Sequence, residues 1–508
     1  MLRKHGIHFP THLVDDTMML SHVANPAVSV GLKQQSSRHV DSRAAAMQSQ
    51  LDSVMHSGGW SWATIPVAAT GPVAAYWTYA ALDPVLTVRL WDHHAPTVLS
   101  EAPRAYDLEL AAGWIADRME QAGVLVDREY TSAQHRDFSA MYDELTSRAQ
   151  DEYGVDAGSK EQILKVLLAD GVELHKKTDT GAYSLDKEVI ASLDHPLIRV
   201  IEQRRKVEKL QSTYLRRFLE YSERDSRLHP NINTLGFKEQ AAGAFGVKTA
   251  RMSMTNPNLQ QLPRGKDPLS RVIRNCVIAE EGKTLLMVDF DQVELRIMAH
   301  LSADPGLAAA FASEGDFFTI LTRGIYHDPT IDKDDARRQL TKSYVYATLY
   351  GAGNEKLAAT TGVPLAEVEQ LSRDFASSYS GVPDFQREVQ NRARERARDG
   401  GAPYTRSPLT NRRFVGEAGR EYALVNYTIQ GMAAEILKMK LLELDAAGLG
   451  SSMRLPVHDE VILEVDTADV PDVVATLNDV MNDNKLLSIP LTAGVSIGNR
   501  WGEKVDYV

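Results

Sequence analysis

Two short acidic stretches hold the residues best suited to phosphoryl transfer. Asp289 follows the apolar run Leu285-Leu-Met-Val288, and Asp459-Glu460 sits at the tip of Arg454-Leu-Pro-Val-His-Asp-Glu-Val-Ile-Leu-Glu-Val465. Carboxylates delivered from two distant parts of one chain are what a pair of divalent cations needs to clamp an in-line displacement at phosphorus. The tract from Asp335 to Gly353 supplies the opposite charge, with Arg338, Lys342, Tyr346 and Tyr350 at four-residue steps. On a helix each such step drifts about 40°, so the four share one face over roughly 18 Å. Two cations followed by two aromatics fit a nucleoside triphosphate lying lengthwise. Arg338 and Lys342 would take the phosphates and Tyr346 the sugar and base, while Gly351 and Gly353 let the helix end bend. The same spacing also fits an amphipathic helix with a tyrosine stripe turned into a core.

The elements that must position these groups are readable from the pattern. Leu285–Val288 predicts a buried strand ending at Asp289, followed by a helix carrying Glu294 and Arg296. The apolar stretches on either side of Asp459 predict a hairpin with the acids at its turn. Helical spacing runs from Asp107 to Asp170 and over 185–222, 303–400 and 421–446, with a loop-rich connector before the strand of Asp289. Ala102-Pro103 marks a candidate boundary, because residues 1–100 contain no glutamate and hold a loop rich in Gly, Trp and Pro at 57–66.

A chain of 508 residues exceeds one core and predicts two to four domains. Its 43% hydrophobic and 24% charged residues are those of an ordinary globular protein, and no apolar run approaches a membrane span. The single cysteine, Cys276, excludes an intramolecular disulfide and any cysteine-rich metal site, and suits a reducing cytoplasm. The net charge of −12 speaks against nucleic acid only as an average, since basic residues cluster. Arg204, Arg205, Lys206, Lys209, Arg216 and Arg217 face a single acid, Glu208, and eight arginines lie between Arg387 and Arg413. Either run alone fits a solvated helix face; two of them flanking the acidic strand ends fit a phosphate-tracking channel. The turn-rich strip Thr249–Arg264 adds Arg251, Asn258 and Gln260, able to reach a nucleic-acid backbone or minor groove, and Asn426 and Gln430 stand at helical i, i+4 spacing.

In this order and spacing the three segments resemble motifs A, B and C of the family A (Pol I-like) DNA polymerases. The likeness covers roughly 104–508, including the thumb-like Lys209-Leu-Gln-Ser-Thr-Tyr214, and the style is similar to the compact polymerases of actinobacterial phages. It implies an α+β right-hand fold: thumb about 128–235, palm about 236–310 and 420–508, fingers about 311–419. It implies two Mg2+ ions on Asp289, Asp459 and the main-chain carbonyl of Phe290, Glu460 as an auxiliary acid and Lys342 as a catalytic cation. Gln292, Glu294, Arg338, Tyr346 and Tyr350 would meet the nucleotide, Glu294 barring a ribose 2′-hydroxyl. Lys209, Arg251, Asn258, Gln260, Asn426, Gln430 and His458 would meet primer-template DNA. Three positions depart from the family pattern: Tyr346 stands where many relatives have Phe, Phe318 where many have a phosphate-binding His, and Tyr422 where an Arg is usual.

Residues 1–101 resemble the later part of the family's 3′–5′ exonuclease domain, a ribonuclease H-like fold, with Asp16 at a helix entry and Tyr79 and Asp83 as a Tyr-x-x-x-Asp motif. Without a glutamate before Glu101 the first exonuclease motif is missing, so an inactive α/β remnant is expected, its sheet completed by a separate polypeptide, by residues from a start further upstream, or repacked. Tyr79 and Asp83 also fit one turn of a plain helix. The expectation is a monomeric DNA polymerase using dNTPs, with no membrane association, in the cytoplasm (the bacterial host's, if phage-encoded). The alternatives are a single-subunit RNA polymerase and a catalytically retired DNA-binding replication factor.

Overall fold

The computed structural model describes residues 13–507, apart from 63, 66–73, 175, 179–180, 187–188, 191–192, 237, 241–242, 264–266 and 399. Its centre is an antiparallel five-stranded sheet. In chain order the strands are β1 (Lys283–Phe290), β2 (Met453–Val457), β3 (Glu460–Asp466), β4 (Ala493–Gly498) and β5 (Val505–Asp506), arranged β2-β3-β1-β4-β5. The central strand β1 is covered on both faces, which is why its sequence is a continuous apolar run rather than an alternating one. Leu286 and Val288 are fully buried, each worth about 1.5–3 kcal/mol. The exposed exception is Asp289.

The helices that matter here are α1 (Thr17–Ala24), α2 (Leu32–His39), α3 (Ala44–Gly58), α4 (Ala74–Glu101), α5 (Pro103–Ala122), α6 (Arg128–Tyr153), α7 (Pro196–Leu210), α8 (Val293–Ser302), α9 (Phe317–Tyr326), α10 (Ala336–Leu349), α11 (Gly381–Arg396) and α12 (Ala423–Leu444). Helices α6 and α7 pack side by side, α6 opened by an Asp127 cap and closed by Gly154 in the left-handed conformation. Helix α12 is apolar almost all round, as a helix running through a core must be, and touches α5, α8, α10, α11 and the hairpin Tyr404–Val415. That hairpin approaches so closely that a Cβ on Gly431 would lie 2.1 Å from Phe414 Cζ. No helix among the described residues is long and apolar enough to cross a membrane.

A buried charge network links remote segments to α12. Lys438 donates to Glu109 Oε1 at 2.6 Å and to the carbonyls of Thr234 and Ala250, both at 2.8 Å, so all three ammonium protons are used. Arg412 is equally buried and pairs with Glu109, with its Nε 3.3 Å from Glu435 Oε1. Burial pushes the Glu109 pKa up, but Lys438 and Arg412 outweigh it and hold the carboxyl below its usual range. Arg412 therefore does not belong to a basic surface, although it lies in the run Arg387–Arg413.

The described residues of 13–101 do not form the expected α/β remnant. Among the described residues of 13–101 there is no strand, and α1–α3 pack with the 28-residue α4. Met19, Leu20 and Val23 are buried against Ala95 and Val98, with Tyr106 of α5 in the same cluster. Part of the apolar surface is thus covered by helices, while Trp77, Val85 and Val88 of α4 stay exposed, and no open sheet edge arises among the described residues. Asp16 caps α1, accepting from the amides of Met18 and Met19. Tyr79 and Asp83 lie one turn apart on α4, where Lys33 pairs with Asp83 and lies 3.9 Å from the Tyr79 ring centroid.

Candidate active site

The sheet brings the two acidic stretches together. Asp289, next to last in β1, is in register with Glu460, the first residue of β3. Strands β2 and β3 are joined by the two-residue turn His458-Asp459, with Val457 opposite Glu460 and His458 at φ +61°. The Phe290 amide donates to the Asp459 carbonyl at 3.3 Å, so the backbone itself locks the hairpin tip against the end of β1. On the other side Gly494 of β4 is in register with Asp289, and a Cβ built there meets nothing within 4 Å. Two carboxylates and a main-chain carbonyl are hard oxygen donors of the kind Mg2+ takes, and the bare glycine leaves room beside them, so the residues fit the ion. Glu460 is buried and accepts from Lys504 Nζ at 2.8 Å, a partner that no sequence motif announced.

After Phe290 the chain turns sharply into α8. Arg296 fixes that turn, donating from Nε to the Asp291 carbonyl and from Nη2 to Thr492 Oγ1, both at 2.7 Å. Gln292 takes a left-handed conformation at the N-cap, its Oε1 buried without a hydrogen-bond partner among the described residues. Glu294 follows in the first helical turn. Its carboxylate is gripped from both sides, by the Arg251 guanidinium and by the Tyr350 hydroxyl, which donates at 3.0 Å. Burial and then Glu294 push the Tyr350 pKa up to about 12, so the phenol keeps its proton.

A cavity of about 430 Å³ opens between these parts, lined by Arg251, Gln292, Glu294, Lys342, Tyr346, Tyr350, His458 and Asp459 among others. The structure thus gathers most of the nucleotide-site residues expected from spacing. Asp289 is not in its wall, but its neighbour across the hairpin, Asp459, is. Lys342 makes no ion pair among the described residues, and its Nζ stands 5.5 Å from the centroid of Phe318, whose ring lies 5.8 Å from that of Tyr346. Phe318 is buried and backs Lys342 and Tyr346 from behind the cavity wall, at the position where the resemblance led to an expected phosphate-binding histidine.

Arg338 lies outside the cavity wall. Its Nε and Nη2 reach the two oxygens of Asp316 at 2.7 and 2.8 Å, and Nε also approaches Thr319 Oγ1 at 3.1 Å. Asp316 caps α9, and the Arg338 guanidinium holds its carboxyl well below the usual range. Nothing in the motif around Arg338 pointed to Asp316, because the pairing depends on how α9 meets α10.

The expected DNA-facing residues are more dispersed. Asn426 Nδ2 donates to the Leu349 carbonyl at 3.0 Å, closing the C-terminal end of α10, and Tyr422 packs on Gly351 just beyond it. Gln260 donates to the Pro456 carbonyl of β2 at 3.1 Å, and Asn258 caps the short turn Leu259–Gln261. Gln430 is half-buried on α12, and Lys209 is exposed at the end of α7. Of the basic run around it, Lys206 pairs with Asp267 at 2.7 Å and Arg217 with Glu220 at 2.9 Å. Such surface pairs are worth about 0–1 kcal/mol and exchange readily for phosphates.

The family model of DNA polymerase family A matches residues 128–503. Similar curated proteins include DNA polymerase I of Chloroflexus aurantiacus, 28% identical over 470 residues that cover 87% of this chain and 47% of that protein. DNA polymerase I of Mycobacterium tuberculosis (strain ATCC 25618 / H37Rv) is 30% identical over 418 residues, covering 78% and 44%. The DNA polymerase of Mycobacterium phage D29 is 27% identical over 394 residues, covering 76% and 61%. The chain spans about half the length of the bacterial relatives it matches. A solved structure, the POL domain of Pol1 from M. smegmatis in complex with DNA primer-template and dNTP, aligns with a TM-score of 0.78 and 25% identity over 99% of this chain and 84% of that one. The fold is the right-hand polymerase fold.

Proposed function

Because the chain belongs to DNA polymerase family A, we propose that it is a template-directed DNA polymerase that adds deoxynucleotides to a primer 3′-hydroxyl. The observation that carries this reading is the meeting of Asp289 and Asp459 at the edge of a cavity walled by Lys342, Tyr346 and Glu294. A magnesium pair held by Asp289, Asp459 and the Phe290 carbonyl supplies, when bound, a more acidic attacking hydroxyl and neutralisation of the leaving pyrophosphate.

The chain's own residues do the rest. Lys342, with no ion pair among the described residues, offers its ammonium to the triphosphate and can give a proton to the departing oxygen. Arg338 joins it only on leaving Asp316. Tyr346, backed by Phe318, meets the sugar and base. Glu294, held by Arg251 and Tyr350, stands against a ribose 2′-hydroxyl; Gln292 lines the same wall. Arg251, Asn258, Gln260, Asn426, Gln430, His458 and Lys209 are assigned to the primer-template side, with a thumb about 128–235, palm about 236–310 and 420–508, and fingers about 311–419. No proofreading chemistry is assigned to 13–101, where Asp16 caps a helix and Asp83 is paired with Lys33.

Glu294 weighs against a single-subunit RNA polymerase, and the intact carboxylate pair weighs against a retired DNA-binding factor. Primer extension with Mg2+ and each of dNTPs and NTPs, beside an Asp289→Ala control, tests all three. We expect dNTP-dependent extension that the substitution lowers by about a thousandfold or more. Equal extension by the Asp289→Ala protein would overturn the reading.

A further inference from the structure

Far from the cavity in sequence, three imidazoles meet where α2 packs against α4. His39 ends α2, and His93 and His94 are consecutive on α4. One ring nitrogen from each lies within 4.8 Å of the others. The His39 and His93 rings stack at 4.3 Å between centroids, with His94 edge-on to them at 5.0 and 4.8 Å. His94 is buried, His39 half-buried and His93 exposed, so the group opens to solvent on one side.

An outer contact orients the buried member. Gln35 is almost fully buried, and its amide nitrogen donates to the Ser29 carbonyl, which fixes which way the amide points. Its Oε1 then faces His94 Nε2 at 3.2 Å and accepts the ring proton there, leaving Nδ1 with a free lone pair. An N–H donated to a fixed oxygen is the arrangement that sets the tautomer of a metal-binding histidine. No carboxylate forms an ion pair with any of the three rings among the described residues, so the donor set is nitrogen alone. That set suits a borderline transition ion and not the hard, oxygen-seeking Mg2+ of the catalytic site.

We propose that His39, His93 and His94 form a three-imidazole site for a divalent transition ion, zinc foremost, with water as the fourth ligand. Tetrahedral zinc with bonds of about 2.0–2.1 Å sets its ligand nitrogens about 3.3 Å apart, so the three rings close on the ion by side-chain rotation. The bound ion ties the last turn of α2 to the last third of α4, fastening these two helices together.

The test uses the full chain without a histidine tag, metal-depleted and held in excess Mg2+ to saturate the carboxylates. Zn2+ is titrated by calorimetry, and Co2+ by its visible absorption. One tight zinc equivalent, a tetrahedral cobalt spectrum and a zinc-dependent rise in the unfolding midpoint are expected. His93→Ala, at an exposed position, and His39→Gln should each weaken zinc binding by at least about tenfold while primer extension stays unchanged. Asp289→Asn should leave the zinc equivalent in place. Absence of a zinc equivalent, its loss with Asp289→Asn, or full retention in His93→Ala overturns the proposal.

Discussion

Arg338 binds Asp316 in a two-pronged ion pair, Nε to one carboxylate oxygen at 2.7 Å and Nη2 to the other at 2.8 Å. A phosphate recruiting Arg338 must therefore displace an internal anion. Asp316→Asn keeps a cap for α9 and removes the competing charge, so the KM for dNTP should fall about three- to tenfold. Steady-state single-nucleotide kinetics give the answer, and an unchanged or higher KM would mean that Arg338 does not leave its partner.

Tyr346 presents a phenol where many relatives have Phe. Its hydroxyl can supply the hydrogen bond that a nucleotide's own 3′-hydroxyl otherwise makes, so dideoxynucleotides should be used readily. Tyr346→Phe should raise discrimination against them by about ten- to a hundredfold, the worth of one hydrogen bond to a charged group. Competitive incorporation of ddNTP against dNTP reads this directly; an identical ratio in both proteins disposes of the idea.

Glu294 is held by two partners, Arg251 and Tyr350, and a gate is only as firm as its supports. Glu294→Ala should increase ribonucleotide insertion most. Tyr350→Phe removes one hydrogen bond of about 1.5–3 kcal/mol and should give a smaller increase in the same direction. Insertion ratios for NTP over dNTP that leave Tyr350→Phe at the wild-type value would show that Arg251 alone suffices.

His22 is neutral in the folded protein, since burial and then Arg412 push its pKa from 6.5 down to about 3; Lys438 adds to this and Glu109 opposes it. Its Nε2 donates to the Val247 carbonyl at 3.1 Å, leaving Nδ1 to face Arg412. The unfolded chain takes up this proton first as pH falls. The stability due to His22 is thus complete above about pH 6.5 and drains away toward pH 3. Thermal midpoints across that window should drop with acidification, and His22→Gln should flatten the slope. Parallel slopes in the two proteins would remove His22 from the account.

How far the sequence could be read depended on how local each signal was. The end of β1, the hairpin around Asp459 and the shared face of α10 follow from apolar runs and four-residue spacing, which are short-range and strong. Asp316, Lys504 and Asn426 were not legible as partners, because each acts through an element brought in by tertiary packing. Arg412 was misread for the same reason: in a run of arginines it counts as surface charge, yet it is buried with Glu109 and Glu435. Residues 1–101 were read through resemblance, and Tyr-x-x-x-Asp spacing is also plain helical spacing, which is what α4 shows.

The knot around Lys438 has a consequence for how the protein is made. Its ammonium closes on groups at 109, 234 and 250, and β1 finds its strand partners only beyond position 459. During translation, roughly the first four hundred residues leave the ribosome before the lysine that neutralises Glu109 and the strands that flank β1 exist. The nascent chain therefore carries β1, a continuous apolar run, before the strands that flank it have been made, so the central sheet closes only after synthesis has passed β4.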